Sequence, residues 1–453
     1  MLWRKIIVRD FWIEEPSRLE TTEKTSWRSE YQRLVDNTPE ICTEVLTAHT
    51  DEVLHVAFCQ SGDRFVTCSK DGAFIVWRVR SEGARLEHRE DMRRYNWRYT
   101  WATRYNQAAS LLLVSGVMDE VDGALAVFEV TEAGEYRLRQ MVDNNPFDVM
   151  GCWVTTDTWL AGHMTTILSE DGHFLLMEAK LSLCHLPESY DEYMDTVLRY
   201  HPTPLRYYPT MFGSTHLRCL VVNPQVSSPG AATRNNRVSV EERDPNDEAV
   251  TALSASSDHS LIFLCSSLAT TPHQLGFHRL RASDLRNVPT ISEPEEVIDM
   301  RGHIVGIALD RTGRYLYVNV RKWPEDWVPA ADVCPPIAED IEMKVLDLTE
   351  RRFLDVTYKG HKGFTNSLDA YIIYLDTSDS LVASGGEDRA AHIWDRRLGC
   401  GLARNTHEDV VRCVAFSPRD PEMMVSVGDD NKVKIWISRR RRRELCHASH
   451  SEL

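Results

Sequence analysis

Long apolar segments are missing from the sequence. The longest apolar run, Leu111–Val117, falls far short of the roughly eighteen residues that a membrane-spanning helix needs. Residues 1–5 include charges and a tryptophan where a secretory signal peptide would have an uninterrupted apolar segment. We therefore expect no membrane partner and a cytoplasmic location.

Positive charge is also scarce. The 453 residues include 52 lysines and arginines against 68 aspartates and glutamates, which gives a formal net charge of −16. Such a chain repels the phosphate backbones of DNA and RNA, so we expect no nucleic acid among its partners.

Sequence signatures of catalysis and of metal binding are absent. The chain has no GxGxxG, GxxxxGK[ST], GxSxG or HExxH motif, so no catalytic residue and no cofactor are predicted. Its eleven cysteines form no CxxC pair and no zinc-ligand spacing with histidine, so no metal site is predicted. Without a secretory signal, these thiols are expected to be reduced.

What the sequence does contain is a repeat. Three segments share a histidine, two strand-like runs, a turn aspartate and a tryptophan six positions after that aspartate. The members are His49, Asp71 and Trp77; His361, Asp388 and Trp394; and His407, Asp430 and Trp436. The last two histidines are 46 positions apart, close to the WD40 period of roughly 40–45 residues.

Weaker units fill the space between these repeats. They cover residues 111–128, 148–177, 261–280 and 302–348, which brings the total to seven. We therefore predict an all-β fold, a seven-bladed WD40 β-propeller over residues 38–437 with a short N-terminal helical segment. The surplus length is assigned to a long disordered insertion at about 184–250 and to a second insertion at 323–338.

The repeated histidines, aspartates and tryptophans are predicted to be structural. Within one blade they can form a buried, hydrogen-bonded relay, which an aspartate needs to offset its desolvation. They recur once per blade, whereas an active site would occur once. Residues 41–46 precede the first histidine and are predicted to close the ring as the outer strand of the last blade.

The segments outside the ring have a different pattern. Residues 1–37 predict two short amphipathic helices, with 27–35 packed on the propeller as a collar. Residues 438–453 begin with five arginines, Arg439 to Arg443, and form a basic tail. A solvated tail is the simpler interpretation of this run, and a nuclear localisation signal is the alternative.

Several segments less generic than WD repeats resemble the F-box/WD-repeat-containing protein 5 family. They are residues 95–100, 151–153, 302–306, 314–319, 335–339, 383–389 and 407–411. The resemblance implies a non-catalytic substrate receptor of a cullin-RING ubiquitin ligase, which presents bound proteins for ubiquitination and proteasomal degradation. Leu2 and Trp3 resemble the end of the family's F-box, so residues 1–37 are identified as an F-box remnant and helical linker. The resemblance implies a ligase of the SCF type, the cullin-4 type or both. The body of the F-box does not precede Leu2, so the cullin-1 adaptor, S-phase-kinase-associated protein 1, is the weaker expectation of the two.

A second route to a ligase lies in the WDxR motif, formed by Trp394, Asp395 and Arg397. In similar WD40 receptors this motif docks on the cullin-4 adaptor, damage-specific DNA-binding protein 1. Trp394 and Asp395 belong to the repeat itself, so Arg397 alone adds information. Its guanidinium is predicted either to pair with adaptor carboxylates or to form an ordinary surface salt bridge. A protein-interaction scaffold without a ubiquitin link remains the alternative function.

Overall fold

The computed structural model describes residues 2–13, 26–81, 83–118, 123–144, 151–168, 175–186, 218–224, 259–265, 272–280, 294–327, 338–365 and 372–451. The helices are α1 (Leu2–Asp10), α2 (Trp27–Asp36) and α3 (Arg439–Ser451). The strands are β1 (Pro39–Leu46), β2 (Val53–Phe58), β3 (Arg64–Ser69), β4 (Ala73–Val79), β5 (Ala84–Asp91), β6 (Tyr99–Tyr105), β7 (Leu111–Val117), β8 (Gly123–Val130), β9 (Tyr136–Asp143), β10 (Cys152–Trp153), β11 (Thr158–Leu168), β12 (Leu175–His185), β13 (Arg218–Pro224), β14 (His259–Cys265), β15 (Gln274–Leu280), β16 (Glu296–Asp299), β17 (Gly302–Leu309), β18 (Tyr315–Lys322), β19 (Asp340–Asp347), β20 (Arg352–Lys362), β21 (Leu375–Thr377), β22 (Leu381–Ser384), β23 (Ala390–Asp395), β24 (Gly401–Thr406), β25 (Val411–Phe416), β26 (Met423–Gly428) and β27 (Val433–Ser438).

These strands form antiparallel sheets arranged as the blades of a β-propeller. Six sheets have four strands, and β10, β11 and β12 form a sheet of three described strands. The first strands of neighbouring sheets contact one another: β2 contacts β6 and β25, and β21 contacts β17 and β25. β13 likewise contacts β10 and β17, and β9 contacts β11, which completes the ring. The fold is therefore the predicted all-β propeller.

The hydrophobic pattern of each strand follows its place in the blade. Every residue of β7, a middle strand of its sheet, is buried, because neighbouring sheets cover both of its faces. In the outer strand β5 most residues are partly or fully exposed. Between the first two blades, Val66, Phe74, Trp97 and Phe128 belong to one buried cluster. The propeller core thus consists of apolar layers between adjacent sheets.

Ring closure occurs at the predicted segment. β1 pairs antiparallel with β27, the last strand of the chain, so one blade combines strands from both ends of the propeller. Two further bonds anchor β1 to its neighbours. The Asn405 side chain donates to the Pro39 carbonyl (2.8 Å), and the Glu44 carboxylate accepts from the Ala84 amide (2.7 Å).

The predicted insertion at about 184–250 needs correction. β12 continues to His185, and β13 lies inside the range as the first strand of its sheet. The sequence did not reveal β13, because a strand of seven residues within a long polar segment shows no clear alternation of apolar and polar side chains. The other residues of this insertion lie outside the described residues. In the second insertion, Trp323 packs against His273 and Trp327, with ring centroids 4.9 and 4.7 Å apart, whereas residues 328–337 lie outside the described residues.

The arginine run is helical, and the side chains of Arg439, Arg440 and Arg443 stay 50–56% exposed. It begins α3, and four of its five arginines pair with carboxylates on the last blade, on the loop beside it or on α2. The pairs are Arg439–Glu40, Arg440–Glu422, Arg441–Asp420 at 3.3 Å and Arg443–Asp36 at 3.1 Å. The sequence did not indicate these pairs, because the acidic partners are distant in sequence and face the run only once the ring has closed.

A single carboxylate links two blades beside the central channel. Asp376 of β21 accepts hydrogen bonds from the amides of Phe416 on β25 (2.7 Å) and of Thr377 (2.8 Å). Burial raises the pKa of the Asp376 carboxyl to about 6, although these two bonds and the charge of Arg311 oppose the shift. Folding therefore favours the protonated form, so the stabilising contribution of this group is present below about pH 4 and is lost as the pH rises through 6.

We expect an Asp376→Asn variant to remove this pH dependence. Between pH 4 and pH 7 the stability of the wild type, relative to the variant, should fall by up to about 3 kcal/mol. Urea unfolding of both proteins across that range measures the difference. A stability gap that stays constant with pH would show that the Asp376 carboxyl titrates normally.

Candidate functional site

The first blade contains a complete chain of buried hydrogen bonds. Nδ1 of His49 lies 2.9 Å from Asp71, and Nε2 lies 2.8 Å from the Thr67 hydroxyl, which also accepts from Nε1 of Trp77 (3.0 Å). An ionised carboxylate only accepts, so Nδ1 carries the histidine proton and Nε2 accepts from Thr67. Burial opposes ionisation of Asp71, but bonds from His49 and two backbone amides outweigh it and lower its pKa to about 2.

The last blade repeats this arrangement. His407 contacts Asp430 through Nδ1 (3.0 Å) and Ser426 through Nε2 (2.7 Å), and Trp436 donates to the same Ser426 hydroxyl at 2.7 Å. Burial lowers the pKa of His407, although the hydrogen bond that His407 donates to Asp430 opposes this shift. The imidazole is therefore neutral at physiological pH. In both relays the histidine joins the aspartate to a hydroxyl group that also accepts from the tryptophan.

The third expected relay is not formed. His361 lies on β20 and bonds to Asn319 (3.2 Å), while Asp388 pairs with His392 at 2.9 Å. Trp394 donates instead to the Lys359 carbonyl (2.9 Å). The third relay is missing because His361 is too far along the chain from the strand that follows it. His49 and His407 each stand four positions before the next strand, whereas fourteen positions separate His361 from the start of β21.

The sequence reasoning missed the hydroxyl at the centre of each relay. Thr67 and Ser426 both stand four positions before the turn aspartate, and Ser384 occupies the same position in the blade of Asp388. Ser384 accepts instead from the Asn319 side chain (2.8 Å), which reaches across from the preceding blade. A hydroxyl residue at this fixed spacing is a signal that the sequence did contain.

We expect Thr67→Val to destabilise the fold by about 2 kcal/mol, because Trp77 and Asp71–His49 lose their shared buried partner while the side-chain shape is kept. Thr67→Ser retains the hydroxyl and serves as the matched control, with a much smaller loss. Thermal or urea unfolding of the three proteins measures the effect. Equal stabilities of the Val and Ser variants would contradict the assignment of the relay.

The WDxR motif lies where β23 ends. Trp394 is buried, and its ring lies 5.0 Å from that of His361. The Asp395 carboxylate accepts from the amides of Arg397 (3.1 Å) and Leu398 (2.7 Å) and so fixes the turn that follows. These two residues therefore build the blade, and Arg397 is left to project from its turn.

Helix α2 covers this turn with a complementary pair of charges. Arg33 donates to Asp395 at 2.6 Å, and Arg397 donates to Glu30 at 2.5 Å. Arg33 also pairs with Glu30 within the helix, at 2.8 Å. Burial opposes ionisation of Glu30, but the bonds and charges of Arg33 and Arg397 outweigh it and hold its pKa below the ordinary value. Arg397 nevertheless remains 44% exposed.

Apolar contacts reinforce this docking. Ile7 of α1 and Leu34 of α2 are buried in one cluster with Leu398 and Cys400 of the same turn. The predicted F-box remnant lies at the outer end of α1, where Leu2 is 70% exposed and the Trp3 ring lies 5.3 Å from that of Tyr31. The N-terminal helices and the WDxR turn thus form one surface, which we call the WDxR surface: Glu30, Arg33, Asp395, Arg396 and Arg397.

Arg396 has an internal role in this surface. It donates to Asp310 of the neighbouring blade at 2.6 Å, and its guanidinium lies 5.6 Å from the rings of Tyr315 and Tyr317. The two arginines therefore differ: Arg396 joins adjacent blades, and Arg397 joins the propeller to α2. A groove of about 570 Å³ runs between these residues and Tyr358.

We expect Arg397→Ala to loosen α2 from the propeller. Losing the charged partner of the buried Glu30 should accelerate amide exchange in residues 27–36 by about tenfold, as the loss of one charge-assisted hydrogen bond predicts. Arg28→Ala is the matched control, because Arg28 is an exposed arginine of the same helix. An unchanged exchange profile in Arg397→Ala would mean that apolar packing alone holds the helix.

Among the described residues no helix is long and apolar enough to cross a membrane, and no group of three or more His, Cys, Asp or Glu side chains is arranged to hold a metal ion. Comparison with known proteins agrees with the fold. The family described as "WD domain, G-beta repeat" matches residues 40–78, 354–395 and 400–436.

Relatives align over nearly the whole chain. Human F-box/WD repeat-containing protein 5 is 31% identical over 93% of this chain and 85% of its own length, and the rat protein is 31% identical over 92% and 84%. GID complex subunit 7 of Schizosaccharomyces pombe is 28% identical over 36% of this chain and 29% of its own length. Together with the ring of sheets, these matches define a WD-repeat β-propeller protein. The chain belongs to the F-box/WD repeat-containing protein 5 family.

Proposed function

We propose that the chain is a non-catalytic substrate-recognition subunit of a cullin-RING ubiquitin ligase, acting in the cytoplasm. The observation that carries the proposal is membership of the F-box/WD repeat family over 93% of the chain. A ring in which His49, Asp71, His407 and Asp430 are used in structural hydrogen bonds suits a binding platform. We infer that the three-stranded sheet of β10–β12 is the seventh blade of this ring.

Such a receptor works by proximity. The propeller holds a protein substrate while an adaptor holds the propeller, so that a substrate lysine meets the charged conjugating enzyme at a high effective concentration. The chain itself supplies no reacting group in this scheme. Substrates gain ubiquitin through the ligase and are then degraded by the proteasome.

The WDxR surface is the proposed contact for the cullin-4 adaptor, damage-specific DNA-binding protein 1. Arg397 is half exposed, so an adaptor carboxylate can approach the guanidinium beside Glu30. Such charge-assisted pairs add specificity as well as affinity. Leu2 and Trp3, the residues that resemble the end of an F-box, lie on α1, which packs beside α2 and the WDxR turn.

The alternative is a protein-interaction scaffold without a ubiquitin link. A specific observation favours it: the carboxylate of Glu30 already satisfies Arg397, and Arg33 covers Asp395. If the chain is a scaffold, the WDxR motif holds α2 against the propeller, and partner proteins bind elsewhere on the ring.

Two substitutions separate these functions. Arg397→Ala removes the guanidinium, whereas Glu30→Gln keeps it and removes only its internal partner. If Arg397 docks on the cullin-4 adaptor, Arg397→Ala should reduce adaptor recovery about tenfold, and Glu30→Gln should preserve or increase it. Affinity purification of the full chain from cells with quantitative mass spectrometry measures this, with Arg28→Ala as the control.

Other patterns contradict adaptor docking through Arg397. Equal loss of the adaptor in Arg397→Ala and Glu30→Gln would mean that the motif acts only by positioning α2. Recovery of neither adaptor by the unsubstituted chain would favour the scaffold.

A further inference from the structure

A cavity opens where the central channel reaches one face of the propeller. Its volume is about 340 Å³, and it extends from the middle of β2 and β25 to the loops that follow them. We call it the channel mouth and define it by His55, Arg104, Arg311, Tyr374 and Asp376. The loops after the first and third strands of a blade lie on one face, because successive strands run in opposite directions. The channel mouth therefore shares a face with the WDxR surface.

The channel mouth is locally cationic in an acidic protein. Two guanidinium groups, from Arg104 and Arg311, face one carboxylate, that of Asp376, which already accepts two backbone hydrogen bonds. His55 adds no charge, because burial and the nearby charge of Arg104 lower its pKa to about 3. The lining thus includes two cationic side chains and one carboxylate, although the whole chain has a net charge of −16.

Arg311 is held in place with hydrogen-bonding capacity to spare. Its guanidinium donates to the backbone carbonyls of Ser417 (3.1 Å) and Pro418 (3.3 Å) on the loop after β25. A guanidinium has five N–H groups, so donors remain for a ligand. In the part of the chain that the structure describes, no carboxylate oxygen lies within ion-pair distance of Arg311.

The walls between these charges are apolar. Val56, Ile307, Leu309 and Ala415 line the cavity beside the two arginines. Such a lining suits a carboxylate on an aliphatic stem better than a strongly hydrated inorganic anion, because the stem removes apolar surface from water. The volume accommodates more than one side chain.

We propose that the channel mouth binds an acidic segment of a partner protein, with a glutamate or aspartate carboxylate paired to Arg311 and Arg104. Guanidinium and carboxylate match in planar, bidentate geometry, which gives the contact specificity. Complementary charge also favours one register of such a segment in the cavity. The inference concerns peptide binding alone and does not depend on the ligase link.

The test uses the full chain and a fluorescein-labelled acetyl-tetraglutamate peptide, with the tetraglutamine peptide as the ligand control. Anisotropy titration at low ionic strength should show saturable binding of the glutamate peptide only. Arg311→Glu should weaken it by at least about tenfold and Arg311→Gln by less. Arg419→Glu is the matched control: it makes the same charge change at an exposed arginine on the loop after β25, outside the cavity, and should leave binding within about twofold.

Three results would overturn the proposal. Absence of saturable glutamate-peptide binding to the folded wild type is the first. Equal weakening by Arg311→Glu and Arg419→Glu would reduce the effect to general surface charge. Displacement of the peptide by inorganic phosphate at equal concentration would assign the cavity to small anions. Circular dichroism of each variant verifies the fold, and Arg104→Gln, expected to weaken binding in the same direction, tests the site independently of Arg311.

Discussion

Each blade is a twisted sheet with two apolar faces, and neither face can be left in water. That constraint generates the rest of the structure, because only a closed ring gives every sheet a neighbour on both sides. It explains why inner strands such as β7 are buried throughout and why the core is divided into layers between blades. The same ring places the carboxylate of Asp376 within hydrogen-bond distance of the next blade.

The WDxR surface shows how a repeat signature acquires a second use. Trp394 and Asp395 build their blade, and Arg396 joins that blade to its neighbour. Arg397 extends beyond the repeat and meets Glu30 of α2. A motif that resembles a docking signal for another protein is thus first a docking site for the chain's own helix. Any partner that uses Arg397 contacts the N-terminal helix as well.

The sequence predicted the features that depend on residues close together in the chain. The alternation of strands, the turn aspartates and the strand that closes the ring all follow from short-range patterns, and α2 lies where amphipathic spacing predicted it. Three features of the structure were not predicted from the sequence. His361 is displaced by the length of the segment that follows it, β13 lies within a polar stretch, and the arginines of α3 find acidic partners only after the ring closes. Glu30 as the partner of Arg397 belongs to the same class, since 367 positions separate the two residues.

The pairing of β1 with β27 has a consequence for synthesis. β1 leaves the ribosome before its partner strand, which is translated 387 positions later, after nearly the whole propeller. At about 5–20 residues per second, β1 waits roughly 20–80 seconds with an open edge. An unpaired edge strand is a template for pairing with other chains. The order of synthesis therefore sets how long this edge of the blade stays without its partner.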